Sequence, residues 1–302
     1  MGVGRRPPAP GRRLEPLVFS SPAEVARQLA GVHYLADTAT ATTVFVADSL
    51  ERPLLVEGPA GVGKTELAKA ISAATGAGLI RLQCYEGLDE ARALYEWNYR
   101  KQLLRIQATS SEQAWDRTHD DIFTDEFLLT RPLLTAIRRD EPTVLLIDEA
   151  DKTDIEVEAL LLEVLSEFQV TIPELGTVTA TRRPFVVVTS NATRELSEAL
   201  KRRCLYLYLD YPTPEREKEI IVEQVPELRA DLAEQIARTA ATLRTLELKK
   251  APSVAETIDW ARTLLALGID DLDDAAIART LGVVLKHHSD HGRAAKELGL
   301  HE

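Results

Sequence analysis

A short glycine-rich segment contains the residue types that phosphate chemistry requires. It consists of Gly58, Pro59, Ala60, Gly61, Val62, Gly63, Lys64 and Thr65, and Glu66 follows directly. Glycines allow backbone N–H groups to converge on phosphate oxygens. At the start of a helix, Lys64 can reach the β- and γ-phosphates of a nucleotide, and the Thr65 hydroxyl can ligate Mg²⁺. The spacing therefore predicts a P-loop that binds ATP and Mg²⁺, against the simpler interpretation of a glycine turn that closes a strand.

Two acidic residues supply the second half of this chemistry. Asp148 and Glu149 follow Val144–Ile147, a continuous apolar run that is typical of a strand buried on both faces of a parallel sheet. Open α/β sheets bind ligands at the carboxyl ends of their strands. We expect Asp148 to hold Mg²⁺ together with Thr65, and Glu149 to polarise the attacking water. Without a P-loop upstream, the same pair would indicate only a solvated turn.

The surrounding sequence contains the strands and helices that would position these groups. Pro53–Glu57 is an apolar run directly before the glycines, and a helical pattern begins at Glu66. Further strands are predicted at Leu79–Cys84, Pro184–Ser190 and Cys204–Asp210. Strands that alternate with helices indicate an α/β fold with a parallel sheet flanked by helices.

Two segments interrupt this alternation. Residues 85–140 form a long insert, in which Leu88–Gln107 and Thr124–Arg139 are predicted to be helical and Ala108–Asp121 is a polar link. Residues 169–183 contain two β-rich halves around a Pro-Glu-Leu-Gly turn. That arrangement predicts a β-hairpin.

Changes in composition divide the chain into three parts. Residues 1–16 form a basic tail rich in proline and arginine, which we expect to be disordered. Residues 17–212 form the predicted α/β nucleotide-binding domain. Thr213 and Pro214 then begin a helix, and only helical patterns follow. Residues 213–302 are therefore predicted to form a small all-helical lid domain.

The overall composition is that of an ordinary globular protein. The 302 residues include 45% hydrophobic and 28% charged residues, and the net charge is −12. An acidic chain argues against broad nucleic-acid binding, which depends on neutralising phosphates. Two cysteines give no disulfide framework, and no apolar run is long enough to cross a membrane. We therefore expect a cytoplasmic protein that does not act at a membrane.

The order of these motifs resembles that of the AAA+ ATPases. The shared features are the P-loop, the strand ending in Asp148–Glu149, the strand ending in Thr189–Asn191, the helix ending in Arg202–Cys204 and the helical lid. Within this class, the insert and the hairpin resemble the helix-2-insert branch and its MoxR family. The segments Arg81–Asp89 and Phe168–Gly176 are most similar to the carbon monoxide dehydrogenase accessory ATPases of that family.

The resemblance implies roles for further residues. Asn191 would be sensor 1, which orients the water that attacks the γ-phosphate. Arg203, or the adjacent Arg202, would be the arginine finger, which acts on the ATP of a neighbouring subunit. Such an arrangement implies a ring, expected to be a homo-hexamer, in which each active site is shared between two subunits.

One position departs from the family. MoxR proteins usually carry an arginine, sensor 2, at the start of the lid helix, and Val254 occupies the matching position here. Sensing of the γ-phosphate by the lid would therefore require another cation. Lys250 and Arg262 are both candidates, and the sequence selects neither.

By resemblance, the protein is a remodelling chaperone that uses ATP to assist maturation or metal-centre assembly of a metalloenzyme such as a molybdenum hydroxylase. MoxR proteins commonly work with a partner that carries a von Willebrand A domain. Two alternatives stay open: the ATPase subunit of a chelatase, from the same branch, and a nucleotide-gated scaffold with negligible turnover.

Asp148–Asp151 also spells the tetrapeptide of DEAD-box helicases. A helicase needs a second RecA-like domain and a Ser-Ala-Thr motif, where this chain has Thr189–Asn191.

Overall fold

The computed structural model describes residues 19–108 and 122–299. The strands in these residues are β1 (Leu54–Glu57), β2 (Gly78–Gln83), β3 (Tyr95–Trp97), β4 (Leu128–Thr130), β5 (Thr143–Asp148), β6 (Gln169–Ile172), β7 (Gly176–Thr179), β8 (Phe185–Ser190) and β9 (Leu205–Tyr208). The α-helices are α1 (Pro22–Ala30), α2 (Thr38–Ser49), α3 (Lys64–Thr75), α4 (Glu90–Ala93), α5 (Tyr99–Ala108), α6 (Pro132–Arg138), α7 (Ile155–Glu167), α8 (Glu198–Arg203), α9 (Pro214–Gln224), α10 (Ala230–Thr245), α11 (Val254–Ala266), α12 (Asp274–Val284) and α13 (His288–Glu297). The predicted tail at residues 1–16 and most of the predicted link Ala108–Asp121 lie outside the described residues.

Five strands form one sheet in the order β2–β5–β8–β1–β9. All four pairings in this sheet are parallel. Every residue of β5 and of β8 is buried, as expected where helices cover both faces of a parallel sheet. The predicted parallel sheet flanked by helices is therefore confirmed. Within the two described ranges, no helix has the length and apolar character needed to span a membrane.

Residues of the sheet alternate between two hydrophobic cores, one on each face. Leu55 and Leu145 belong to one core, and their neighbours Leu54 and Val144 belong to the other. A third core is built from the C-terminal helices α9 to α13 and contains the fully buried Trp260. The C-terminal helices thus pack mainly on one another.

The insert differs from the prediction. The segment Leu88–Gln107 is not one helix but contains α4, β3 and α5, and the segment Thr124–Arg139 contains β4 and α6. Strands β3 and β4 pair antiparallel. Trp97 of β3 is buried, and its ring meets that of Phe123 edge-on with centroids 5.2 Å apart. The helix prediction therefore holds for α4, α5 and α6 and was wrong at β3 and β4, where pairing and this packing favour the extended conformation over local helix propensity.

The predicted hairpin at residues 169–183 is present. Strands β6 and β7 pair antiparallel, with Gln169 opposite Thr179. Leu175, at the turn, packs against the same core as Trp97. The hairpin is therefore attached to the body of the protein through its tip as well as through its two ends.

Candidate active site

The parallel register brings the predicted site residues to one edge of the sheet. Glu57, the last residue of β1, pairs with Ser190, the last residue of β8, and Ile147 of β5 pairs with Val188. The segments that follow these three strands therefore start side by side. Strand β1 leads into the P-loop, β5 ends at Asp148 and is followed by Glu149, and β8 is followed by Asn191.

The glycines of the P-loop occupy conformations that other residues avoid. Gly58, Gly61 and Gly63 have φ angles of 152°, 76° and 102°. A Cβ atom on Gly58 would lie 1.9 Å from the backbone oxygen of Leu209, and one on Gly61 would lie 2.4 Å from Cβ of Ser253. Glycine is thus required both for the turn and for the close approach of neighbouring backbone. The loop leads into α3, whose N-terminus points its free N–H groups toward the loop.

Lys64 is buried, with 6% of its surface exposed. Its ammonium donates to the backbone oxygens of Gly58 and Pro59, both at 2.7 Å, and to Oδ1 of Asn191 at 2.8 Å. Burial lowers the pKa of Lys64, and nearby carboxylates, of which Asp151 contributes most, oppose this effect. The structure therefore brings the P-loop lysine and the predicted sensor together.

Both oxygens of the buried Asp148 carboxylate accept hydrogen bonds. Oδ1 accepts from the hydroxyls of Thr65 and Thr189, at 2.9 and 2.6 Å. Oδ2 accepts from Arg81, whose Nη2 and Nε atoms lie 2.6 and 3.0 Å away. A carboxylate within one hydrogen bond of a hydroxyl provides the hard oxygen ligands that Mg²⁺ prefers. Thr65 and Asp148 therefore fit a Mg²⁺ site.

Glu149 lies at a turn with a left-handed φ of 59°. Its Oε2 atom accepts from Nε2 of Gln83 at 2.9 Å and from Nζ of Lys152 at 2.6 Å. Its backbone N–H donates to the hydroxyl of Thr189 at 2.9 Å. One amide, of Gln83, and one ammonium, of Lys152, thus hold the Glu149 carboxylate.

Four of these partners were not predicted from the sequence: Arg81, Gln83, Lys152 and Thr189. Arg81 and Gln83 are two residues apart on β2, so their side chains share one face of the strand. Gln83 pairs in register with Asp148 on the neighbouring strand. The two-residue spacing of Arg81 and Gln83 could have indicated that their side chains share a face. Only the structure shows that this strand lies beside β5, which carries Asp148.

A cleft of about 1020 Å³ lies between this edge of the sheet and the C-terminal helices. Its lining includes most of the predicted site residues, namely Ala60, Gly61, Val62, Gly63, Lys64, Thr65, Glu66, Asp148, Glu149 and Asn191. The opposite walls include Tyr34 before α2, Tyr211 after β9 and Ile258 on α11. Gly58 and Pro59 are not among the described residues that line the cleft, and their backbone oxygens accept from Lys64. The lining combines charged and polar groups with aromatic and aliphatic ones, which suits a nucleotide.

The start of α11 lies against the P-loop. The backbone N–H of Ala255 donates to the oxygen of Gly61 at 3.4 Å, and Val254 lines the cleft. Of the two cations considered as substitutes for sensor 2, Arg262 lines the cleft and pairs with Asp259 at 3.5 Å, whereas Lys250 is not among the described lining residues and donates to Glu256 at 2.7 Å. The geometry therefore favours Arg262.

Arg202 and Arg203 end α8 and are exposed. Neither occurs among the described residues that line the cleft. Nε of Arg203 donates to the hydroxyl of Ser166 at 2.6 Å. Arg52 caps this end of α8 by donating to the backbone oxygens of Arg202 and Arg203, at 2.5 and 3.2 Å. Within one chain, the structure does not bring these arginines to the P-loop.

Comparison with known proteins shows similar chains among bacterial proteins and among solved structures. An uncharacterized protein of Staphylococcus haemolyticus is 27% identical over 245 residues, which cover 77% of this chain and 84% of the relative. An uncharacterized protein of Staphylococcus aureus strain USA300 is 27% identical over 224 residues, covering 72% and 77%. Among solved structures, a mutant of Thermotoga maritima RuvB is 17% identical, covers 94% of this chain and 84% of its own, and superposes with a TM-score of 0.49.

A second RuvB structure from Thermotoga maritima, described as a Holliday junction branch migration motor, is 20% identical and covers 94% of this chain and 86% of its own, with a TM-score of 0.44. The AAA domain family, dynein-related subfamily, matches residues 53–204. This range runs from the strand before the P-loop to the end of α8, and it makes up just over half of the 302 residues. The chain has the AAA+ P-loop fold and belongs to the AAA domain family, dynein-related subfamily.

Proposed function

We propose that this protein is an ATPase that hydrolyses ATP to ADP and phosphate with Mg²⁺, and that it works as a MoxR-type remodelling chaperone. The observation that carries the first part is the convergence of Lys64, Asn191, Asp148 and Glu149 at one edge of the sheet. Lys64 donates to Asn191, Asp148 accepts from Thr65, and the backbone of Glu149 donates to Thr189. One cation, one amide and two carboxylates therefore line the same cleft.

Each residue has a distinct task in this proposal. The Lys64 ammonium exchanges its bonds to the loop oxygens for bonds to the phosphates. Thr65 and Asp148 hold Mg²⁺, which neutralises charge that develops on the phosphates. Glu149 accepts the proton of the attacking water, and Asn191 orients that water.

We further propose a ring, a homo-hexamer by resemblance, with active sites between subunits. Arg203 or Arg202 would then stabilise the transition state on a neighbour's ATP, as arginine fingers do. Support comes from the exposure of both side chains at the end of α8, away from the cleft of their own chain. Arg52 holds this end of the helix in place.

The chaperone role rests on the resemblance to the MoxR family. It is supported by the position of the insert before β5 and of the hairpin before β8. In this proposal a partner with a von Willebrand A domain presents a metalloenzyme client, and ATP hydrolysis drives a step in assembly of its metal centre.

One observation favours a second candidate, a nucleotide-gated scaffold with negligible turnover. Gln83 and Lys152 both donate to the oxygen Oε2 of Glu149. If these bonds persist when ATP binds, Glu149 cannot reach the attacking water.

Phosphate release by purified protein with ATP and Mg²⁺ separates the two candidates. Turnover by the wild type should fall by about 10²–10⁴-fold in Glu149→Gln, which loses the general base. Glu156→Gln is a matched control on the exposed surface of α7. Equal turnover by wild type and Glu149→Gln would contradict the mechanism, and absence of turnover in the wild type would favour the scaffold.

The Glu149→Gln variant should bind ATP without hydrolysing it. An affinity pull-down with this variant and ATP can therefore capture the client and the partner.

A further inference from the structure

Asp151 is a buried acidic residue that the chemistry above leaves without a role. It lies in the short turn after Glu149 and is 3% exposed. Its Oδ2 atom accepts from the backbone N–H of Thr193 at 3.0 Å and from the hydroxyl of Thr193 at 2.6 Å. Oδ1 is also buried, and no donor in residues 19–108 or 122–299 reaches it. A buried oxygen without a donor costs about 1–3 kcal/mol, so packing alone does not account for this residue.

The segment that Asp151 contacts is under backbone strain. Ala192 has a φ of 56°, in the left-handed region that residues with a Cβ atom rarely adopt. Such a conformation costs about 1–2 kcal/mol and persists only where the surroundings impose it. Here Thr193 is held by Asp151, and the N–H of Ala192 donates to the hydroxyl of Ser190 at 3.0 Å. Two side chains thus fix the loop immediately after Asn191.

The same loop carries the amide that contacts the P-loop lysine. Asn191 is two residues from Thr193, and its Oδ1 atom accepts from Lys64 at 2.8 Å. Asp151 is also the carboxylate that most strongly favours the charged form of Lys64. Asp151, the Asn191 loop and Lys64 therefore form one connected group beneath the cleft.

We propose that Asp151 is a positioning residue for Asn191: its carboxylate holds the loop 191–193 so that the Asn191 amide faces Lys64 and the attacking water. The inference rests on the proposed ATP hydrolysis. Asp151 itself touches neither nucleotide nor water in this account and acts only through the loop.

The ionisation of Asp151 is consistent with this role. Burial alone would raise its pKa, but hydrogen bonds, chiefly those from the hydroxyl and the backbone N–H of Thr193, outweigh burial and keep the pKa below its ordinary value of 3.8. The carboxylate therefore remains a full acceptor for the loop at neutral pH.

Steady-state hydrolysis of ATP by point variants tests the proposal. Asp151→Ala should lower kcat by about 10–100-fold, since displacement of a catalytic group by about 1 Å has effects of this size, and should leave KM for ATP within about threefold. Asp151→Asn keeps an oxygen that can accept from Thr193, so it should recover most of the lost kcat. Asp154→Asn, an exposed residue three positions along that caps α7, is the matched control and should resemble the wild type. Equal losses in Asp151→Asn and Asp151→Ala would overturn the proposal, because charge rather than the hydrogen-bond acceptor would then matter.

A double-variant cycle separates positioning from general support of the fold. In an Asn191→Ala background, Asp151→Ala should lower kcat no further, because the group that it positions is already absent. An equal fold-loss in both backgrounds would overturn the proposal. If Asp151→Ala does not fold, Thr193→Val removes the hydroxyl that donates to Asp151. This variant should lower kcat and leave KM unchanged. Its effect on kcat should likewise disappear in the Asn191→Ala background.

Hydrogen exchange supplies a readout that does not depend on activity. The Thr193 amide donates to Asp151, so its exchange should be faster in Asp151→Ala and close to that of the wild type in Asp151→Asn. If Asn191→Ala retains the kcat of the wild type, the proposed role of Asn191 has failed. If Asn191→Ala is impaired and Asp151→Ala hydrolyses ATP normally despite faster exchange, only the present inference has failed.

Discussion

The ammonium nitrogen of Lys64 lies 2.8 Å from the side-chain oxygen of Asn191, although 127 residues separate them in the chain. The contact follows from the sheet. Strands β1 and β8 are parallel neighbours whose last residues pair in register, so the segments that follow leave the sheet side by side. One of these segments begins the P-loop helix, and the other begins with Asn191. The lysine that we propose to bind phosphates and the amide that we propose to orient water thereby lie next to each other.

Loss of the Lys64 ammonium should weaken nucleotide binding itself. Lys64→Ala removes the only predicted P-loop cation and also leaves the oxygen of Asn191 without this donor. We expect ATP affinity to fall by at least about tenfold, the effect of losing one charged hydrogen bond of roughly 1.5–3 kcal/mol. Titration calorimetry with a non-hydrolysable ATP analogue measures this. Lys286→Ala, at an exposed position two residues after the end of α12, is the control, and equal affinities of the two variants would contradict the role of Lys64.

The arginine finger should act between subunits. Arg203→Ala is expected to bind ATP normally and to hydrolyse it about 10³–10⁵-fold more slowly, the range known for such fingers. Mixing it with Lys64→Ala should restore part of the activity, because one subunit keeps the P-loop and the other keeps the finger. The same experiment with Arg202→Ala decides which arginine acts. If the Arg203→Ala variant and the Arg202→Ala variant each hydrolyse ATP at the wild-type rate, neither residue is the arginine finger.

The strands of the main sheet and the site residues on them could be predicted because their signals are local. A buried parallel strand requires an apolar run, and a P-loop requires glycines, a lysine and a hydroxyl at fixed spacing. Such patterns are visible in Val144–Ile147 and in Gly58–Thr65. The parallel order then places the polar ends of the strands at one edge without further information.

The insert and the partners of the acidic pair could not be predicted in the same way. Strand β3 has only three residues, and Trp97 makes it extended through contact with Phe123, which is distant in sequence. Arg81 reaches Asp148 only because β2 lies beside β5, and many strand orders are compatible with the sequence. The cap of α8 by Arg52 likewise depends on a pairing between segments 150 residues apart.

A lid cation should be identifiable by substitution. Arg262 lines the cleft, whereas Lys250 is engaged with Glu256. Arg262→Ala should therefore reduce ATP affinity several-fold more than ADP affinity, since a cation near the γ-phosphate distinguishes the two. Lys250→Ala should change neither, and fluorescence titration with labelled nucleotides measures both. A larger effect of Lys250→Ala would show that the lid uses the other cation.

Acid should weaken the link between α7 and α8. Burial alone would raise the pKa of Glu158, but hydrogen bonds from Ser197 and Arg194 outweigh it and hold the pKa below its ordinary value of 4.5. A carboxyl with a lowered folded-state pKa stabilises the fold above the unfolded pKa, and this stability is lost as pH falls through the folded pKa. Glu158→Gln should cost about 2 kcal/mol of unfolding free energy at pH 7, and the difference from wild type should shrink below about pH 4.5.

Urea unfolding at pH 7 and at pH 4 measures this difference. Glu163→Gln, on the exposed face of the same helix, is the control and should behave as wild type at both pH values. A stability difference between wild type and Glu158→Gln that stays constant with pH would mean that the Glu158 carboxylate has an ordinary pKa.

The two crowded glycines of the P-loop should respond differently to an added methyl group. Gly76→Ala is the reference, because Gly76 has a φ of 67° and an added Cβ would meet nothing within 4 Å. Its free energy of unfolding should fall only by the cost of a left-handed backbone, about 1–2 kcal/mol. In Gly58→Ala, the Cβ would collide with the backbone oxygen of Leu209, which cannot withdraw because its own N–H donates to Glu57 at 2.8 Å. Gly58→Ala should therefore unfold at clearly lower urea concentration than Gly76→Ala.

In Gly61→Ala, the Cβ would meet Ser253 at the start of α11. We expect α11 to shift away together with the other C-terminal helices, because these helices share a core of their own. Gly61→Ala should keep the stability of Gly76→Ala but bind ATP more weakly, because the lid wall of the cleft is displaced. Equal unfolding midpoints for Gly58→Ala and Gly76→Ala would show that the loop can shift away from Leu209, and unchanged ATP affinity in Gly61→Ala would show that the contact with Ser253 does not set the position of the lid.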